Sequence, residues 1–138
     1  MSRIGRCICG QVKYSVSGPV LQVVACHCTL CRRMSGSAFS SYVVVKEQDF
    51  SVDHGKEGLT SYEVTDRTTR HFCAKCGTPV FNLNPTMYAG LAMLYLGTLE
   101  GHEDNAPRID IFCERKLPWV TTNEQSKSFP QTPRRAAS

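Results

Sequence analysis

Residues 6–16 read Arg6-Cys7-Ile8-Cys9-Gly10-Gln11-Val12-Lys13-Tyr14-Ser15-Val16. A cysteine pair closes on a glycine, and an alternating stretch follows. Val12, Tyr14 and Val16 alternate with Gln11, Lys13 and Ser15, the period of a half-buried strand. The same unit returns at Phe72-Cys73-Ala74-Lys75-Cys76-Gly77, with Val80-Phe81 leading out of it. A glycine after the second cysteine tolerates positive φ and lets backbone N–H groups approach the sulfurs. Each pair can supply two corners of a thiolate tetrahedron, so Cys7, Cys9, Cys73 and Cys76 together make a closed structural zinc site. Such a site staples the N-terminal strand to a hairpin over 60 residues away. Bound zinc can contribute on the order of 10 kcal/mol of apparent folding free energy in a small domain.

Between the two units lies Cys26-His27-Cys28-Thr29-Leu30-Cys31-Arg32-Arg33. Three cysteines within six residues have no obvious fourth partner. A three-ligand zinc site leaves one position open, the pattern of a catalytic or ligand-binding site. His27 or Cys113 could instead complete a second closed tetrahedron. Cys113 sits on an alternating apolar stretch, where a buried inert thiol is the ordinary reading. Cys73-x-x-Cys76 lacks the βαβ context of a thioredoxin-type redox pair. Arg32 and Arg33 could offset thiolate charge or grip a substrate carboxylate; a solvated loop is the alternative.

The remaining chain consists of short strand patterns with turn signals every 8 to 15 residues. Val20–Ala25, Ala38–Val45, two or three segments in 50–65, and Arg108–Cys113 are β-prone. Leu91–Leu96 suits either helix or strand. Residues 26–36 read as a loop, and no amphipathic helix is evident. The fold is expected to be mainly β, with one domain over residues 1–120. Residues 121–138, rich in Ser, Thr and Gln, are expected to be mostly disordered. Arg134 and Arg135 lie in this tail.

The 138 residues, 41% of them apolar, exclude whole-chain disorder, and no apolar run approaches a membrane span. A net charge of +4 is mild, and much of its excess sits in the tail, so it does not point to a nucleic-acid partner. The first ten residues show no signal-peptide core. A cytosolic or nuclear chain is then expected, with cytoplasmic the reading adopted, and closely spaced cysteines in that reducing setting indicate metal or redox chemistry.

The set Arg6–Tyr14, Cys26–Phe39 and Arg70–Thr78, in this order, resembles the glutathione-dependent formaldehyde-activating enzyme family, which also includes centromere protein V. Leu96-Gly97-Thr98-Leu99 and residues 107–119 are similar as well. The resemblance implies a β-tent fold of small antiparallel sheets organised around zinc. It assigns Cys7, Cys9, Cys73 and Cys76 to a structural zinc, and Cys26, Cys28 and Cys31 to a catalytic one. The implied reaction joins glutathione to formaldehyde, formally a carbon–sulfur lyase run backwards.

On that basis the open site is expected to hold a thiol, since three thiolates leave zinc formally anionic and a poor Lewis acid. Arg32 is expected to hold a glutathione carboxylate. Asp110 stands where the family often carries a histidine. The alternative function is a non-catalytic zinc module for protein or nucleic-acid interaction. Nothing in the pattern specifies an oligomeric state.

Overall fold

The computed structural model describes residues 3–133. Eleven strands and one short α-helix make up its regular elements, beside single turns of 3-10 helix. A three-stranded sheet contains β1 (Arg3–Arg6), β2 (Lys13–Val16) and β5 (Phe50–His54) in the order β1-β2-β5. The larger sheet adds β3 (Gln22–Cys26), β4 (Ser40–Lys46), β6 (Leu59–Glu63), β7 (Thr69–Cys73), β8 (Pro79–Leu83), β9 (Leu91–Tyr95), β10 (Ile109–Ile111) and β11 (Lys127–Ser128). Its order is β11-β10-β3-β4-β9-β8-β7-β6. The mainly β reading holds. Pairing is antiparallel except that β10 runs parallel to both β3 and β11.

Alternation along β4 places the two halves of the interior. Val43 and Val45 enter one core with Val12, Tyr14, Val16, Leu94 and Leu99. Tyr42 and Val44 face the other way, where Tyr42 joins Cys26, Cys31 and Tyr95 in a second cluster. β9 divides likewise, with Ala92 and Leu94 in the first core and Leu91 and Met93 on the opposite face. Strand side chains point alternately to the two faces, so one segment serves both interiors. The ambiguous run at Leu91 is thereby a strand, paired on both sides by β4 and β8.

Two expectations are corrected. Residues 26–36 are not all loop: Thr29–Ser35 form α1. The Cys28 side chain caps it, accepting from the Cys31 N–H at 3.2 Å, and the sequence pattern hid this because a thiolate took the place of the usual Ser, Thr, Asp or Asn. Nor is the tail disordered through its whole length. Lys127 and Ser128 pair with β10, the Phe129 N–H donates to the Asp110 carbonyl, and Thr132 is buried. The parallel edge of β10 offers backbone hydrogen bonds that a polar composition can satisfy as well as an apolar one. Residues 134–138, with Arg134 and Arg135, lie outside the described residues. Among the described residues no helix is long and apolar enough to cross a membrane.

Candidate metal centres and the adjoining cavity

The two cysteine–glycine units form matching turns. Gly10 and Gly77 both have φ of +77°, a conformation that strains other residues. The Gly10 N–H donates to the Cys7 carbonyl at 3.2 Å, and the Gly77 N–H to the Cys73 carbonyl at 2.8 Å. The turns bring the sulfurs of Cys7, Cys9, Cys73 and Cys76 within 4.8 Å of one another. Cys7 and Cys9 are 3.6 Å apart, Cys9 and Cys73 3.8 Å. Four sulfurs about 2.3 Å from a tetrahedral zinc stand ~3.8 Å apart, so this donor set fits the ion. These separations are far too long for disulfides, and all eight cysteines are free. The Thr78 hydroxyl, 3.1 Å from Cys76, is the main cause that lowers the Cys76 thiol to about 5.

Cys26, Cys28 and Cys31 converge at the end of β3 and the first turn of α1, again within 4.8 Å. Cys26 and Cys28 are 3.5 Å apart. Sharing hydrogens among the three sulfurs splits their acidities. The Cys26 contact, with help from Cys31, pulls Cys28 down to about 2, and the contact with Cys28 pushes Cys26 up. A divalent ion held by the three sulfurs would let all of them ionise. Among the described residues no fourth Cys, His, Asp or Glu joins the group.

Neither alternative for a fourth ligand, His27 or Cys113, belongs to the group of donors within 4.8 Å of one another. His27 Nε2 lies 2.6 Å from Asp110 Oδ2, and the Cys113 thiol lies 3.5 Å from the Asp110 carbonyl. Arg32 follows the cluster directly, on α1. Its guanidinium donates to the backbone carbonyls of His27 at 3.1 Å and Arg115 at 2.5 Å, and to the Thr29 hydroxyl. These bonds brace the cysteine loop against the 113–115 turn.

Tyr42, Asn82 and Tyr95 form a polar chain beside the cluster. The Tyr95 hydroxyl donates to Asn82 Oδ1 at 3.0 Å, Asn82 Nδ2 to the Tyr42 hydroxyl at 3.4 Å, and that hydroxyl to Cys31 Sγ at 3.2 Å. Burial raises the phenol of Tyr42, so it remains a donor. The sequence showed Tyr42 only as part of a β-prone run. Its partners come from β8 and β9, some 40 and 53 residues later, and no local pattern joins them.

All three cysteines open onto a cavity of about 460 Å³. Its walls come from one face of the large sheet, from α1, and from the C-terminal segment through Thr132 and Pro133. No Asp, Glu, Lys, Arg or His lines it among the described residues.

Comparison with known proteins follows this geometry. The profile of the family described as glutathione-dependent formaldehyde-activating enzyme matches residues 2–115. A Halomonas elongata protein, provisionally named glutathione-dependent formaldehyde-activating enzyme, is 26% identical over 94% of this chain and 87% of its own length. An Aspergillus flavus protein of the same provisional name is 32% identical over 54% of this chain and 40% of its own. A crystal structure of a Rhodobacter sphaeroides protein superposes with a TM-score of 0.60 at 25% identity, covering 71% of this chain and 88% of that one.

Proposed function

We infer the function from one premise: the chain belongs to the glutathione-dependent formaldehyde-activating enzyme family. The reading is a zinc-dependent enzyme of carbon–sulfur lyase type that joins a thiol, glutathione by the family's name, to formaldehyde or a related small carbonyl. The observation that carries it is the three-sulfur cluster of Cys26, Cys28 and Cys31, which has no fourth ligand among the described residues and faces a cavity. Cys7, Cys9, Cys73 and Cys76 would hold a second, structural zinc. Zinc at the open cluster would favour the thiolate form of a thiol substrate and leave a position for its sulfur.

The chain's own residues do the rest. Cys28 serves twice, as ligand and as the cap that fixes α1 relative to β3. The Tyr42 hydroxyl orients Cys31. Arg32 is a positioning residue that holds the loop. The apolar walls exclude water, so a bound carbonyl meets the sulfur at high effective concentration. The new carbon–sulfur bond pushes the carbonyl electron pair onto oxygen, which takes a proton. Unpaired cysteines throughout match a reducing compartment such as the cytoplasm. The cavity beside the cluster favours an enzyme over an interaction module.

The test is the rate of S-hydroxymethylglutathione formation with zinc-loaded protein, against the uncatalysed background and against Cys28→Ser. A saturable acceleration that the variant lacks supports the reading. Equal rates in all three overturn it.

A further inference from the structure

We propose that the cavity takes the apolar body of an aldehyde much larger than formaldehyde, so that the carbonyl partner of the thiol is a hydrophobic aldehyde. This deepens the thiol–carbonyl reading above and rests on it. Volume is the first reason. About 460 Å³ is roughly three times the ~150 Å³ of an apolar cavity that accommodates benzene. Formaldehyde has two heavy atoms and would leave most of the space as water against greasy walls.

Wall chemistry is the second reason. The far walls are Val24, Val44, Leu91, Met93, Ile109 and Ile111, and no ionisable side chain but the cysteines and tyrosines joins them among the described residues. Glutathione carries two carboxylates and an ammonium. Burying those groups here would strip their water and return no oppositely charged partner. Only the thiol arm of glutathione suits the interior, and its charged ends stay at the mouth. The free volume is therefore left for the other reactant. Met34, Met87 and Met93 also line the space, and unbranched thioether chains adapt to guests of differing shape.

Register is the third. Cys26 pairs with Ser40 at one end of β4, and Leu91 pairs with Lys46 at the other. Tyr42 lies at the cysteine end, and Asn82, in register with Met93 and Val44, donates back to the Tyr42 hydroxyl. Val44 and Leu91 lie further on, two to four strand positions past Tyr42, or about 7–14 Å. An aldehyde enters this gradient with its carbonyl at the cysteines and its tail along the sheet. The step balances without a redox partner. The thiolate sulfur bonds to the carbonyl carbon, the π pair moves to oxygen, and the proton lost by the thiol returns there.

The experiment measures kcat/KM for formaldehyde, butanal and octanal with the zinc-loaded chain at fixed glutathione. Calorimetric binding of octan-1-ol, which cannot react, is measured alongside. The expected result is a rise with chain length, up to about fourfold for each methylene buried, and saturable octanol binding. Val44→Phe and, separately, Met93→Phe shorten the cavity and should pull the octanal-to-formaldehyde ratio toward one; the ratio is unaffected by a general loss of folded protein. Formaldehyde turnover with no octanol binding and no gain for octanal overturns this proposal while the reaction stands. Octanol binding with no turnover of any aldehyde overturns the reaction and supports the apolar site.

Discussion

His27 Nε2 and Asp110 Oδ2 stand 2.6 Å apart, with side chains only 1% and 4% exposed. Asp110 also accepts from the Ser126 hydroxyl through its other oxygen. One carboxylate thus ties the cysteine loop, β10 and the C-terminal segment together. Ile109 and Ile111 face the cavity, so Asp110 between them faces away from it. Asp110 is an anchor outside the cavity.

Removing one member of a buried polar pair strands the other. Asp110→Ala should lower the stability of the metal-loaded protein by about 3 kcal/mol or more in urea denaturation. Asp110→Asn, which keeps hydrogen bonding to both partners feasible, should cost less. Equal stability of Asp110→Ala and the parent would show that the pair anchors nothing.

The Tyr42 hydroxyl donates to Cys31, a candidate ligand of the open cluster. Tyr42→Phe should weaken zinc binding at the three-cysteine site by about 10–100-fold and leave the four-cysteine site unchanged. Competition with a chromophoric chelator resolves the two classes of metal.

The two clusters should differ in what their loss does. Cys73→Ser removes a buried ligand of a closed site and should abolish folding, since a structural zinc contributes on the order of 10 kcal/mol. Cys28→Ser should retain the fold by circular dichroism and bind one zinc in place of two. Loss of folding in both variants would make the second site structural as well.

Tyr14 gives a pH dependence. Its hydroxyl is 2.7 Å from the Thr98 hydroxyl, and burial raises it from 10.0 to about 12. The unfolded chain loses this proton first, so the stabilisation is complete below pH 10 and is lost as pH rises from 10 through about 12. Tyr14→Phe should cost about 1 kcal/mol at pH 7 and show a shallower alkaline decline. An unchanged alkaline profile would remove Tyr14 as a contributor.

Legibility in the sequence followed the range of the interactions. The Cys7–Gly10 and Cys73–Gly77 units announce themselves because a glycine at positive φ and two thiols within four residues are local features. The strand through Val12, Tyr14 and Val16 was equally plain from its period. α1 was missed because its cap is a cysteine and it spans only Thr29–Ser35. The ordering of Ser126–Pro133 was missed because it comes from the free edge of a strand, not from side-chain polarity. The sequence shows Arg32 beside thiols but not the two carbonyls to which its guanidinium donates. The Tyr42–Asn82–Tyr95 chain and the apolar cavity arise from three strands whose faces coincide only after folding.

The most direct measurement uses cobalt(II) in place of zinc and follows the sulfur-to-cobalt absorption as glutathione is added. An open three-cysteine site predicts a rise in that absorption that saturates at one glutathione per chain and disappears in Cys28→Ser. No change at saturating glutathione, with two cobalt ions bound, would contradict an open site built to receive a thiol.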